Sequence, residues 1–351
     1  MSINIEKLDP QKLEWLRKKT SRKIILKQGQ SPGDILTFTR ALADLKTTYP
    51  RYQIDVRTPC AEIWENNPHL TPLKEEDPNV EIYTIGYDEI NISGWEGLHF
   101  SDAFRHDIEK KLAVKINKTG IRPEVWISNE ENSWFNQVHC DFGWDGPYWV
   151  INAGRKQDNE LKQYHRFPKV VDQLNEYFNG KVKIVQIGHK DHLHPPLKNV
   201  LNLVGKTDTR QMIRLIHKAA GTIGPLSFQF VLSAAFQQPA VCLAAGKEGV
   251  RWHLYPHMRY IHTNGALPCC AWDGCWKGGE KGKCVALVKG VPKCFTLIEP
   301  YMVVDAVKWY YQGGMLKMPE KPLWVPGHNS NSNHEHKLNR LQQLSRHFHR
   351  G

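Results

Sequence analysis

Residues 24–58 constrain the fold of this chain most, because they carry the pattern of a strand, a glycine loop, a helix and a second strand. A short β-branched apolar run at residues 24–26 ends at two glycines and a proline within residues 28–34. Apolar side chains then recur at helical spacing up to Pro50, which cannot continue a helix. Alternating apolar residues follow at 53–57. Such a crossover joins parallel strands, so the sequence predicts an α/β layer.

The loop after the first predicted strand places Asp34 at the start of the predicted helix. In a parallel sheet, such loops line the ligand crevice at the carboxyl ends of the strands, and Asp34 is therefore a candidate site residue. The alternative is an aspartate that only satisfies free amides at a helix N-terminus, which this motif taken alone favours.

A chain of 351 residues exceeds what one core usually holds, and it predicts two domains. Glycine, proline and aspartate cluster at residues 140–147, where the apolar periodicity lapses and a boundary is expected. The predicted parts are a basic lead-in (1–22), a first domain (23–146), a second domain (147–326) with a cysteine-rich loop (268–294), and a mobile basic tail rich in His and Asn (327–351).

The charge balance of 47 Lys plus Arg against 36 Asp plus Glu gives a net charge of +11, which attracts anions such as nucleotide diphosphates, anionic lipid or nucleic acid. No nucleic-acid motif accompanies this charge, so no nucleic-acid partner is expected. The first twenty residues lack the apolar core of a secretory signal, and a cytoplasmic location is expected. Proline and glutamine interrupt the weakly polar stretch 219–246, which argues against a membrane span.

The strand and helix unit resembles the amino-terminal half of family 9 glycosyltransferases, the ADP-heptose heptosyltransferases. The likeness lies in Gly33 and Asp34, in the helix end ALADLKTTYP and in the following NNPHL. Further along, GPLSFQFVLSAA at residues 224–235 and the apolar run at 239–244 resemble that family's Gly-Pro turn, helix and strand. The resemblance implies two Rossmann-like domains that face each other across a cleft, the glycosyltransferase B-type arrangement.

In that family the aspartate after the loop glycine is regarded as the catalytic base, which implies this role for Asp34 and a loop role for Gly29 and Gly33. Lys162 lies in LKQYHRFP, which resembles the family's lysine, aromatic and proline element. The resemblance implies that this lysine binds the donor phosphates and stabilises the departing diphosphate. The basic residues of NAGRK, which are Arg155 and Lys156, are rivals for that role.

The Gly-Pro turn at Gly224 and Pro225, together with Ser227, is expected to open backbone amides towards a diphosphate at a helix start. This chain departs from the family where an acidic residue, a small residue and a histidine are usual, since it has Leu226, Phe228 and Val231. The departure leaves open a different nucleotide sugar, a repositioned site or a loss of activity.

The cysteines crowd near the end of the second predicted domain, where five of the eight lie: Cys269, Cys270, Cys275, Cys284 and Cys294. Glycines between them allow four sulfurs to converge, and four sulfurs suit a structural zinc or iron ion that leaves no position for substrate. Related autotransporter heptosyltransferases hold a structural iron with cysteines, and this likeness favours iron. The alternative is a set of free thiols packed as small apolar residues. His189, His192 and His194 lack metal-ligand spacing, and loop polarity explains them better.

The sequence thus predicts an inverting glycosyltransferase that needs no catalytic metal. It would move a heptose or related sugar from a nucleotide sugar, ADP-linked as first choice, to a hydroxyl of a glycan, lipid-linked or protein acceptor. Peripheral association with the anionic inner membrane face is an accompanying expectation. The rival is a non-catalytic relative that keeps the fold and binds sugar nucleotides or carbohydrate.

Overall fold

The computed structural model describes residues 20–92, 98–157, 160–270, 274–275 and 283–313. The predicted tail and almost all of the predicted lead-in lie outside these ranges. The chain divides into two compact units, one that ends at Ile127 and one that begins at Ser128.

The first unit contains a three-stranded parallel sheet with the strand order β2-β1-β3. Its elements are β1 (Lys23–Lys27), α1 (Pro32–Thr48), β2 (Gln53–Arg57), a 3-10 helix (Ala61–Trp64), β3 (Val80–Thr84), a second 3-10 helix (Asp88–Ile92) and α2 (Phe100–Leu112). The predicted strand, helix and strand are confirmed, and β1 and β2 pair in parallel as expected. Ile24, Ile25 and Leu26 are fully buried, and each such side chain contributes about 1.5–3 kcal/mol by leaving water.

A buried carboxylate, Asp44, joins α1 to α2 and to the chain that follows α2. Its side chain is 0 % exposed and accepts hydrogen bonds from Arg105 Nη2 at 2.5 Å and Arg105 Nε at 2.9 Å. Arg40 Nη2 lies 2.8 Å from the other carboxylate oxygen, to which Thr119 Oγ1 also donates. Because these donors come from two helices and a loop, Asp44 holds the packing of the first unit in one arrangement.

The sequence of residues 123–127 predicts a further strand, but this prediction is wrong, since the structure has irregular backbone there. Glu124 explains the difference. Its backbone N–H donates to Thr39 Oγ1 at 2.8 Å, and its carboxylate pairs with Arg40 at 2.7 Å and with His69 at 3.0 Å. These polar partners on α1 and on the loop after β2 satisfy the segment without a neighbouring strand.

The second unit contains a six-stranded sheet in the order β6-β5-β4-β7-β8-β9, and every neighbouring pair in it is parallel. A short antiparallel pair, β10-β11, stands apart from it. The strands are β4 (Tyr148–Asn152), β5 (Lys183–Ile187), β6 (Leu201–Asn202), β7 (Gly221–Pro225), β8 (Ala240–Ala245), β9 (Met258–His262), β10 (Leu287–Val288) and β11 (Val291–Pro292).

The helices of this unit precede its first strand, follow its last strand or connect neighbouring strands in the sequence. They are α3 (Asn129–Ser133), α4 (Gln137–Phe142), α5 (Phe167–Phe178), α6 (Thr209–Lys218), α7 (Phe228–Ala235), α8 (Lys293–Thr296) and α9 (Pro300–Tyr311), with 3-10 turns at Glu160–Lys162, Val250–Trp252 and Pro268–Cys270. Of the helices that the structure describes, none combines the length and the apolar character that crossing a membrane demands.

The division between the units lies after Ile127 rather than at the predicted 146/147 boundary. Side chains of residues 128–147 explain this position, since they bind elements of the second unit. Glu131 forms a buried two-pronged pair with Arg210 of α6, at 2.8 and 2.6 Å. Asn136 Nδ2 donates to Tyr148 Oη of β4 at 3.0 Å. The glycine and proline cluster therefore marks a loop inside the second unit.

The small residues at 221–224 predict a turn from sequence, but this prediction is also wrong, because these residues belong to the central strand β7. Its glycines allow close packing. A Cβ on Gly221 would lie 2.6 Å from the indole of Trp149, and a Cβ on Gly224 would lie 2.9 Å from the carbonyl oxygen of Asn152. Glycine is therefore needed at these positions of the buried strand, because neighbouring groups approach its backbone too closely for a side chain.

Asp44→Ala tests the role of the buried carboxylate. We expect the first unit to lose about 3–5 kcal/mol of unfolding free energy, because Arg105 and Arg40 would keep their charges without this partner. Urea unfolding followed by circular dichroism measures the loss. The control is Glu75→Ala, which removes the exposed partner of Lys27 and should cost less than about 1 kcal/mol. Equal effects of the two variants would contradict the assignment.

Candidate functional site

Three central strands of the second unit end side by side. β4 ends at Asn152, β7 at Pro225 and β8 at Ala245, and the three strands are neighbours in the parallel sheet. Parallel pairing places their carboxyl ends at one edge of the sheet, which is where ligands bind in open α/β sheets. The residues that follow these strands are therefore the candidates for ligand binding and catalysis.

Lys162, the lysine for which the resemblance implies phosphate binding, lies at this edge. Its ammonium donates to the carbonyl oxygen of Leu226 at 2.8 Å and lies 3.1 Å from Glu248 Oε1. Leu226 follows β7 and Glu248 follows β8, so the lysine bridges the loops after two central strands. The lysine side chain is 32 % exposed. These two contacts use two of the three N–H donors of an ammonium, and one donor is left for a ligand.

Glu248 and Lys247 are the functional candidates that the sequence analysis missed. Both residues are buried, and Lys247 Nζ lies 3.7 Å from Glu248 Oε1. Burial opposes ionisation of Glu248, but Lys162 and Lys247 outweigh it and hold the pKa of this carboxyl below its usual range. Burial, reinforced by Lys162, lowers the pKa of Lys247 to about 8. A Lys-Glu pair directly after a buried strand was the signal that could have identified them.

A buried histidine and a buried thiol complete this environment. Burial lowers the pKa of His253 to about 4, and it raises the pKa of Cys242 well above its usual value. Both groups are therefore neutral at pH 7. The charges of the cluster come from Lys162, Lys247 and Glu248.

The predicted residues Gly224, Pro225 and Ser227 lie at the same edge of the sheet, at the end of β7 and before α7. Asn152 Nδ2 donates to Gln229 Oε1 at 3.2 Å, and Gln229 Nε2 donates to the Pro225 carbonyl at 3.0 Å. The hydroxyl of Ser227 donates to the same Gln229 oxygen. These side chains link the ends of β4 and β7 and fix the first turn of α7.

The three residues that depart from the family pattern have different positions. Val231 is 2 % exposed and Leu226 5 %, and both side chains belong to the core. Phe228 is half-buried at the first position of α7. The Leu226 backbone nevertheless belongs to the site, because its carbonyl oxygen accepts from Lys162.

Arg155 and Lys156 lie in the loop after β4. The backbone of Arg155 exchanges two hydrogen bonds with Leu193, at 3.0 and 2.9 Å, and so joins this loop to the histidine-containing loop after β5. Lys156 is exposed. Burial lowers the pKa of His192, and the neighbouring histidines and Lys156 lower it further. Neither basic residue shares the contacts of Lys162 with the Leu226 carbonyl and Glu248.

In the first unit, Asp34 lies in the first turn of α1 and is half-buried. Its Oδ2 accepts from Ser31 Oγ at 2.7 Å and from the Ser31 backbone N–H at 3.3 Å, which is the helix-capping geometry. Gly33 belongs to this helix rather than to the loop, so its predicted loop position is wrong. A Cβ on Gly29 would meet no atom within 4 Å. Packing therefore does not require glycine at that position.

The five clustered cysteines line one small cavity in the second unit. The cavity measures about 10 Å³, and Gly246, Leu267, Lys283, Val285 and Ala286 complete its wall. This volume is about the space that a single water molecule or ion needs. Cys270 and Cys294 are buried, and the other three are partly exposed.

The thiols have the hydrogen bonds of neutral groups. The single S–H of Cys270 is shared between the carbonyl oxygens of Thr263 and Leu267, each 3.5 Å from Sγ, and Cys284 Sγ donates to the Ala286 carbonyl at 3.4 Å. Burial raises the pKa of Cys275 to about 12, and the other four cysteines reinforce the shift. Within the described ranges, no three or more His, Cys, Asp or Glu side chains stand where they could hold a metal ion. The sulfurs fit a soft metal in composition and would have to rotate to bind one.

Comparison with solved structures identifies the architecture. A family 9 glycosyl transferase from Veillonella parvula DSM 2008 matches with a TM-score of 0.59 and 13 % identity, over 82 % of this chain and 96 % of that chain. E. coli ADP-heptose lipopolysaccharide heptosyltransferase II matches with a TM-score of 0.51 and 16 % identity, over 81 % and 97 %. The chain has a glycosyltransferase B-type fold. The predicted fold class is confirmed.

A further structural relative is the iron-containing dodecameric glycosyltransferase TibC from enterotoxigenic E. coli H10407. It matches with a TM-score of 0.61 and 14 % identity, over 84 % of this chain and 77 % of that chain. TibC in complex with ADP-D-β-D-heptose has the same TM-score, at 13 % identity. A scan of protein-family models and a search of curated proteins find no match. At these identities the likeness establishes the fold.

Proposed function

We propose that this protein is an inverting glycosyltransferase that moves a heptose or a related sugar from a nucleoside-diphosphate sugar to a hydroxyl acceptor in surface glycan or glycoprotein synthesis. The observation that carries the proposal is the position of Lys162, whose side chain is partly exposed and whose ammonium is held by residues that follow β7 and β8. The fold supports it, since the compared structures with TM-scores above 0.5 are glycosyltransferases.

Lys162 would hold the donor phosphates. As the bond between the anomeric carbon and the diphosphate oxygen breaks, negative charge develops on the leaving group, and a preorganised ammonium stabilises it. Gly224 and Ser227 would place the first amides of α7 beside the phosphates. Arg155 and Lys156, on the neighbouring loop, would contact more distant parts of the donor.

Asp34 would act as the base. The acceptor oxygen attacks the anomeric carbon on the face opposite the diphosphate, which inverts the configuration, and the carboxylate takes the proton that this oxygen loses. The capping contacts with Ser31 orient the carboxylate at the start of α1. No step of this chemistry needs a metal.

ADP-heptose is the first donor to test, because TibC was solved with ADP-D-β-D-heptose and its fold is similar. The acceptor would be a glycan, a lipid-linked or a protein hydroxyl. A non-catalytic sugar-nucleotide or carbohydrate-binding relative is the second candidate. One observation favours it: Val231 is buried where family 9 enzymes usually have a histidine.

Four of the five cysteines would bind one structural iron or zinc ion, namely Cys275, Cys284, Cys294 and one of Cys269 and Cys270. The cavity that they share and their soft sulfur donors support this proposal. TibC, which has a similar fold, is described as iron-containing. The ion would crosslink the chain around β10 and β11, and it would take no part in the reaction.

A nucleoside diphosphate should raise the melting temperature more than its nucleoside does, because a ligand that binds only the folded state stabilises it. ADP against adenosine is the first comparison, and GDP, UDP and CDP follow. Lys162→Ala should shrink the difference, whereas the exposed Lys198→Ala should leave it unchanged. Differential scanning fluorimetry measures both, and Lys156→Ala tests the rival lysine. If no diphosphate at millimolar concentration shifts the transition, the transferase proposal fails.

Asp34→Asn should keep the fold and the ADP-induced stabilisation yet lower transfer by at least about 100-fold, because it removes a base without changing shape. A coupled assay of ADP release with an acceptor measures the rate. Asp77→Asn is a matched control, since Asp77 is also half-buried and accepts from a backbone N–H three residues earlier. Undiminished turnover would remove Asp34 from the mechanism.

Purified untagged protein should contain about one equivalent of iron or zinc per chain by elemental analysis. Cys275→Ser should lower both the metal content and the melting temperature, since it removes one sulfur from a four-sulfur set. Cys60→Ser is the control, because Cys60 lies in the first unit, away from the cavity. Metal-free protein of undiminished thermal stability would leave the thiols as packing residues only.

A further inference from the structure

The cluster at the end of β8 contains two lysines and one carboxylate. Lys162 Nζ and Lys247 Nζ lie 3.1 and 3.7 Å from the same oxygen, Glu248 Oε1. Glu248 is 5 % exposed and Lys247 is 7 % exposed. Among Lys162, Lys247 and Glu248, with His253 and Cys242 neutral, two positive charges face one negative charge, so these three groups carry one excess positive charge.

An excess charge inside a protein is costly, because water is replaced by a medium that solvates ions poorly. The cost falls when an anion binds beside the charge. Lys162 can touch such an anion, since a third of its side chain is exposed, whereas Lys247 is shielded. Lys162 can therefore contact an anion directly, whereas Lys247 can act on it only through electrostatic attraction.

Lys247 is held in place by its backbone as well as by its charge. A Cβ on Gly274 would lie 2.3 Å from the Lys247 carbonyl oxygen, so a glycine is needed for this approach. The Cys275 N–H donates to the Gly246 carbonyl at 2.9 Å, and Asn264 Nδ2 donates to the Glu248 carbonyl at 2.9 Å. Contacts with Gly274, Cys275 and Asn264 thus fix residues 246–248 and keep Lys247 beside Glu248.

We propose that Lys247 is the second cation of the phosphate site: Glu248 orients Lys162, and Lys247 offsets the charge of Glu248 so that the oriented ammonium still attracts a diphosphate. Without Lys247, the Lys162 and Glu248 pair would be neutral and would attract an anion weakly. This inference rests on the proposed donor site and adds a residue that acts on the phosphates through charge, without contact.

The test compares pyrophosphate affinity among variants that differ in the net charge of this cluster. Inorganic pyrophosphate is titrated by calorimetry, at pH 7 and low salt, into the full-length wild type, Lys247→Met, Glu248→Gln and the double variant. Their excess positive charges are one, zero, two and one, by the count of lysines minus carboxylate. We expect Lys247→Met to weaken binding at least about tenfold, Glu248→Gln to strengthen it, and the double variant to return within about threefold of wild type. Adenosine affinity should not change.

The outcomes separate this inference from the proposed function. Wild type that binds neither pyrophosphate nor ADP would overturn both. If wild type and Lys247→Met bind pyrophosphate with equal affinity, only the role of Lys247 is overturned. The same holds if each single variant weakens pyrophosphate binding and the double variant shows the sum of both losses. If Lys247→Met does not fold, Glu248→Gln should still bind pyrophosphate about tenfold more tightly than the double variant. Equal affinities of those two would refute the charge count.

Discussion

Parallel strand pairing is the constraint on which the second unit depends. Parallel neighbours need crossover connections, so helices cover the sheet and the strands become buried on both faces. β8 is buried at all six positions. The loops after the buried central strands therefore carry the polar side chains that can meet a ligand, and parallel pairing brings these strand ends to one edge. Asn152, Pro225 and Ala245 become neighbours there although they are far apart in sequence.

The charged residues of the two units follow from different degrees of burial. In the first unit, Asp44 is surrounded by donors from α1, α2 and the following loop, and no solvent reaches its side chain. Such a carboxylate fixes packing. In the second unit, Lys162 shares its ammonium between a backbone carbonyl and Glu248 while remaining partly exposed. A charge that is oriented by buried partners and open to solvent is suited to bind a ligand.

The cysteine cavity and the lysine cluster meet at Gly246, Lys247 and Glu248. A Cβ on Gly246 would lie 2.9 Å from Cys270 Sγ, and the next two residues carry the charges at the end of β8. A change in the position of Cys270 would therefore be passed to the backbone that carries Lys247 and Glu248. The physical link is short, since it consists of three consecutive residues.

The sequence by itself determined the elements whose patterns are local. The apolar run of β1, the helical spacing of α1 and the parallel crossover were readable because periodicity depends on near neighbours. Lys162 was readable through its resemblance to a family element. Tertiary structure alone decided that Glu124 pairs with α1 instead of forming a strand, and that Gly221 and Gly224 serve close packing rather than a turn. It also decided that Lys247 and Glu248 lie beside Lys162, because the distance between residues 162 and 248 is closed only when the sheet assembles.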